Sequence, residues 1–393
     1  HSLVWLSLKR LLPEGAASPL REDLPVLFWG DVAQHEGRTP VNEQADGSIV
    51  FYVDIIATAF FMLSRWEETV IPAQDEHGRF PAKASVAHKQ GFLNSPIVDE
   101  YSLILREWLR ILLPRWEPAK RSFAVKLSHD IDSVRRFQTV QDAARTFAGD
   151  LLKRKNPRIA IRRVRDAISQ VVAPASTEYV QGIYRLAELS HAYGLGNDAF
   201  YFMVDGPGPF GSGYDASELV VRRCVDDLLE QGFEIGLHAS YNTFDNRARL
   251  EEEKARLDGL LDYTRYGGRQ HFLRFRVPDT WKTWARVGLT YDSSMGYADH
   301  EGFRCGTCHP FRPFDVDSNR ELDLLEVPLI VMDGTLRYYR QLTPDEGVAR
   351  ALDLARRCKQ VDGVFTLLWH NSSITGAWQP WFQLYQRVLG TLS

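Results

Sequence analysis

The sequence predicts a deformed (β/α) barrel of about seven strands with a smaller N-terminal α+β domain. Three observations carry this expectation. Short β-prone runs alternate with amphipathic helical stretches over most of the chain, which implies a parallel sheet with crossover helices. Those runs end in Asp, His or Arg, as expected of a barrel whose chemistry sits at the C-terminal ends of its strands. The first 120 residues lack this rhythm and carry no cluster of His, Asp or Glu.

Residues 1–120 therefore read as an accessory domain that scaffolds or covers a barrel of residues 121–393. Within it, Asp54–Glu67 is a strongly apolar helix and Asp75–Gly78 a turn. Ile97–Leu113 is a second helix that ends at Pro114, a residue that cannot continue it. Phe123–Asp132 is the first barrel strand. Asp130 and Asp132, at i and i+2, share one side of a regular strand. Two carboxylates at the end of a buried strand are costly unless a metal, a cation or a reacting proton uses them. The plain alternative is a strand-end turn with an Asp cap on the next helix.

The remaining strands follow in order. They are Asn197–Met203, Phe233–His238, Gly267–His271, Leu289–Ser294, Leu324–Leu329 and Val364–His370. Helices over Arg249–Leu261 and Val348–Cys358 separate some of them. Asp205–Gly213, rich in Gly and Pro, is a loop at the catalytic end. Tyr297–Pro313, rich in aromatic, His and Arg residues, either walls a substrate site or packs as a lid. Trp378, Trp381 and Phe382 read as helix packing.

Composition narrows the function classes. The chain has 393 residues, 44% hydrophobic and 25% charged, with a net charge of −4, so nothing global suggests a nucleic-acid partner. Four scattered cysteines give no disulfide framework, and the Cys305–Cys308 pair lacks the second CxxC of a zinc ribbon. No apolar run reaches transmembrane length, which makes the expected location cytoplasmic. Residues 145–168 qualify that expectation. Arg145, Lys153, Arg154, Lys155, Arg158, Arg162, Arg163 and Arg165 alternate there with aliphatic residues. Such a segment either lies on an anionic membrane, here the inner membrane, or packs as a solvated helix.

The strand-end residues suit metal-assisted hydrolysis of an amide or ester. A catalytic metal needs about three protein ligands and an open position. Asp132 and His238 are the best candidates, with Asp130 as general base and His370 as general acid. Arg269 or Arg276 would orient the base or hold an anionic intermediate.

These residues resemble the motifs of the polysaccharide deacetylase superfamily, over roughly residues 121–375. His129–Asp132 is similar to its Asp-x-Asp motif, Gly236–Asn242 to its second motif, Phe275–Pro278 to its Arg-Pro-Pro motif, and Leu368–His370 to its Leu-x-His motif. Ser64–Glu68 and Asp75–Phe80 resemble the N-terminal domain of a bacterial subgroup. The resemblance implies Asp130 as base, Asp132 and His238 as metal ligands, and His370 as acid. It also implies a divalent cofactor (zinc, or else cobalt, nickel or manganese). The implied substrate is an acetylated sugar or glycan, free or lipid-linked, in bacterial polysaccharide biosynthesis. Tyr241, inside the second motif, joins Arg269 and Arg276 as a candidate substrate contact.

One departure matters. The second motif usually has His at both i and i+4, and here the later position is Asn242. An amide oxygen is a poor zinc ligand beside imidazole. The third ligand is then His271, with an inward-turned His129 or a weak or absent metal as alternatives. Two competing functions follow: hydrolysis of a non-sugar amide, or glycan binding on a catalytically degenerate barrel.

Overall fold

The computed structural model describes residues 4–7, 10–14, 16, 23–28, 40–137, 143–148, 157–195, 198–206, 208 and 210–393. Two antiparallel pairs open the chain: β1 (Val4–Ser7) with β2 (Asp23–Val26), and β3 (Val41–Glu43) with β4 (Ile49–Phe51). The apolar helix then runs over Ile55–Leu63, with the Asp54 carboxylate accepting from the Ala57 amide at 2.7 Å. It is shorter than the predicted Asp54–Glu67. Arg65 adopts a left-handed conformation with φ of 52°, and a new helix starts at Trp66.

The second part holds β5 (Ala124–Ile131), β6 (Ala199–Phe202), β7 (Glu234–Ala239), β8 (Gly268–Gln270) and β9 (Tyr291–Asp292). A hairpin of β10 (Phe314–Asp315) and β11 (Arg320–Glu321) follows. The chain then adds β12 (Leu325–Glu326), β13 (Val331–Met332) and β14 (Val364–Leu368). Eight of these form one sheet in the order β12-β9-β8-β7-β6-β5-β14-β13, and every pairing is parallel. The sheet curls into a barrel that stays open between its two edge strands, β12 and β13. Seven strands are those predicted. The eighth, β13, is separated from β12 by Pro328 alone among turn-forming residues, so a reading of periodicity merges the two.

Crossover helices cover the outside, which explains why all four residues of β6 are buried. Strand alternation sends His129 and Ile131 outward and Asp130 inward. His129 packs between Phe200 and Tyr385 and bonds the Trp369 carbonyl at 2.8 Å. It lies at the sheet–helix interface and not in the barrel, so it is no substitute ligand. Inside, the Arg269 guanidinium sits 5.1 Å over the Tyr201 ring, and Tyr201 bonds Tyr291 at 2.9 Å. Gly236 makes room for this layer, since a Cβ there would lie 2.8 Å from the Tyr201 ring.

The N-terminal part docks on residues 295–309, the excursion after β9. Arg65 is wholly buried and bonds Glu67, Glu68 and the Tyr297 hydroxyl. Arg304 bonds Glu68 and the Gly296 carbonyl. Backbone pairs Val98–Gly306 and Phe303–Leu93 complete the contact. Tyr297–Pro313 is thus a packed element between the two parts; none of it lines the cavity described below. Cys305 and Cys308 are buried within it.

Asp198, just before β6, is 2% exposed, and burial pushes its carboxyl up to about 6. An unfolded chain ionises this group near 3.8, so stability falls as pH rises from 3.8 to about 6 and stays lost above. Asp198→Asn is expected to raise the free energy of unfolding at neutral pH by at most about 3 kcal/mol, with no gain near pH ~4. Urea melts at both pH values check this.

Candidate metal centre

Five titratable side chains converge where β5, β7, β8 and β14 end. They line a cavity of about 220 Å³. Asp130 and Asp132 come from β5 and its end, His238 from β7, His271 from the turn after β8, and His370 from just past β14.

His238 Nε2 lies 3.1 Å from Asp132 Oδ1, and His271 Nε2 lies 3.7 Å from the same oxygen. The His238 Nδ1 atom meets the Arg269 carbonyl at 3.0 Å. A carbonyl only accepts, so Nδ1 carries a proton, and Nε2 is the ring nitrogen that faces the carboxylate. Asp132 Oδ1, His238 Nε2 and His271 Nδ1 are buried and have no hydrogen-bond partner. Such orphans are rare in folded proteins and call for an explanation, an ion among them. Ligand atoms of Asp132, His238 and His271 lie within 4.8 Å of one another, and no other group of this kind exists among the described residues. One carboxylate and two imidazoles are a suitable donor set for zinc or a similar divalent ion.

Burial and neighbouring charge push the three residues in different directions. Burial pushes His271 down to about 4, which keeps it neutral, as a ligand must be. Burial opposes ionisation of Asp132, but His370, His238 and His271 around it hold its carboxyl well below the usual range. For His238, burial is outweighed by Asp130 and Asp132, which raise its pKa.

Two pairs flank the trio. Arg269 Nη1 donates to Asp130 Oδ1 at 2.8 Å, while its other nitrogens donate to the Ser293 carbonyl and hydroxyl. Both Asp130 and Arg269 are essentially buried. On the other side, His370 Nδ1 donates to Asp333 Oδ1 at 2.7 Å, leaving Nε2 facing the cleft, 3.7 Å from Asp132 Oδ2. Burial opposes charge on His370, but Asp333, Asp132 and Asp130 raise its pKa to about 10, so it carries a proton at neutral pH.

The structure separates the other candidates. Arg276 is half-exposed, pairs with Asp245 at 3.4 Å and does not line the cavity. Arg269, and not Arg276, pairs with Asp130. Tyr241 does not line the cavity either; it stacks on Phe210 at 4.5 Å with its hydroxyl 3.2 Å from His77 Nδ1. Asn242 is exposed. His300 and His309 lie outside the cavity lining.

Sequence reading missed Asp333, Trp378, Tyr338, Tyr339 and Arg79, all of which line the cavity. Asp333 obeys the strand-end pattern, since it follows β13 directly, and would have been found had β13 been recognised. The two tyrosines, 60% and 42% exposed, and Trp378 form an aromatic wall. Nothing in their local sequence sets them apart from surface or core aromatics.

Residues 11–114 match a family of unknown function, DUF7033. No curated protein matches the chain. Among solved structures it is similar to a "putative polysaccharide deacetylase from Mycobacterium smegmatis". The identity is 17% and the TM-score 0.43, over 70% of this chain and 86% of that one.

Proposed function

We propose that the chain is a metal-dependent hydrolase that removes N- or O-linked acetyl groups from a sugar or glycan. The observation that carries this reading is the set of three partnerless buried donor atoms on Asp132, His238 and His271, set between the Asp130–Arg269 and His370–Asp333 pairs.

Asp132, His238 and His271 would hold a divalent ion, zinc by donor type, which lowers the pKa of water and polarises the acetyl carbonyl. Asp130 is the general base that takes a proton from the attacking water. Arg269, itself held by two hydrogen bonds to Ser293, orients that carboxylate through one. His370 is the general acid. Asp333 keeps it protonated and turns Nε2 towards the leaving nitrogen or oxygen. Tyr338, Tyr339 and Trp378 offer faces on which the apolar side of a sugar ring stacks. Release of acetate from acetylated oligosaccharides tests the reading. A linear or cyclic amide panel separates the non-sugar alternative, and sugar binding without acetate release would replace it with the glycan binder.

The glycan class extends to lipid-linked ones. The Pro157–Val172 helix exposes Ile161, Val164, Ile168, Val171 and Val172 along one face. Residues 145–168 hold eight Lys or Arg against two Asp in a chain of net charge −4. Residues 149–156 lie outside the described residues, as do the side chains of Arg158, Arg162 and Arg163. An apolar face in a basic segment matches an anionic bilayer surface. Co-sedimentation with phosphatidylglycerol vesicles, but not with pure phosphatidylcholine, is expected, with loss in Ile161→Glu/Ile168→Glu. Equal behaviour on both lipids would remove the membrane from this reading. Among the described residues no helix is long and apolar enough to cross a membrane.

A further inference from the structure

His271 is not held by its own strand. It opens the turn after β8, where Phe272 and Leu273 both adopt left-handed conformations, with φ of 62° and 53°. Two successive non-glycine residues in that region are strained and persist only where surroundings fix them. Leu273 packs on Ala298, Leu329 and Leu368, and Phe272 on Tyr241, while a polar clasp on the turn comes from the N-terminal part. Arg79 Nη1 donates to the Phe272 carbonyl at 2.8 Å, one residue beyond His271. Its Nη2 donates to the Tyr339 hydroxyl at 3.0 Å, and Asp75 holds the rest of the guanidinium at 2.7 Å. A reciprocal bond closes the clasp: Arg274 Nε, in the same turn, donates to the His77 carbonyl at 2.9 Å.

Arg79 is 5% exposed and lines the cavity, although it lies inside the segment that matches the family of unknown function. Its donors are occupied by Asp75, Phe272 and Tyr339, which suits positioning better than substrate capture. We propose that Arg79 is a positioning residue for the third metal ligand, and that the N-terminal domain thereby forms part of the metal centre. This rests on the metal reading above. The exposed Asn242 leaves the trio dependent on a residue from a separate turn, and Arg79 fixes that turn from across the domain boundary.

Zinc affinity of the full-length protein, measured by chelator competition, tests the proposal. Arg79→Ala is expected to weaken zinc by about ten- to a hundredfold, as removal of an outer partner of a ligand does. In a His271→Ala background the same substitution is expected to change nothing further. A merely structural role would lower stability equally in both backgrounds without this dependence. Tyr339→Phe, which leaves the Phe272 bond in place, is expected to bind zinc as the wild type does. In metal-free protein, Arg79→Ala is expected to speed deuterium exchange over residues 271–274. If Arg79→Ala does not fold, Arg79→Lys replaces it, since one ammonium cannot span the three partners. Wild-type affinity and unchanged exchange in the variants would overturn the proposal and leave the metal reading standing. A wild-type protein that binds no zinc would overturn both.

Discussion

Asp130→Asn is expected to slow acetate release by about two to four orders of magnitude while the protein remains folded and metal-loaded. Asp130 is buried, so its charge is present for a reason other than solubility. One of its oxygens accepts from Arg269, and the other lies 3.7 Å from His238 Nε2, beside the proposed ligands. Asparagine keeps an oxygen that accepts from Arg269 but loses the basicity that removes a proton from water. Rate should therefore fall with little change in circular dichroism or metal content. A variant that retains the wild-type rate would place the base elsewhere and would favour a different chemistry for the cleft.

Arg269→Met is expected to cost about 3–5 kcal/mol of stability, because it strips a buried carboxylate of its guanidinium partner. The side chain is wholly buried, spans from Ser293 to Asp130, and lies over the Tyr201 ring. Methionine fills part of the volume and satisfies none of the polar contacts. Urea denaturation of Arg269→Met, Asp130→Asn and the double variant isolates the pair. The double variant is expected to be less destabilised than the sum of the singles, since neither charge is then left alone. Strict additivity would show that the two groups do not support one another.

The barrel and the convergence of its strand-end residues were legible because parallel strands buried on both faces leave a strong periodic record. The inward side of β5 followed from the i, i+2 spacing of Asp130 and Asp132. His238, His271 and His370 followed from the ends of their strands. Strand alternation also explains why His129, although adjacent to Asp130, points into the helix layer. Long-range placement was not legible. Arg79 reaches Phe272 across 193 positions, and no periodicity encodes a contact between a turn of one part and a turn of the other. Asp333 was hidden by a two-residue strand too short to show a pattern. Arg276 lies in the segment that resembles an arginine motif, yet Arg269 is the one that bonds Asp130. Sequence alone kept both because each follows a plausible strand end.

Metal content by elemental analysis of the wild type, His238→Ala and His271→Ala tests the central reading most directly. About one divalent ion per chain, lost in both variants, is the expected result. Loss in His238→Ala alone would keep a metal and remove His271 from its ligands. No metal in the wild type after reconstitution with zinc, cobalt, nickel or manganese would contradict the metal centre and the hydrolysis built on it.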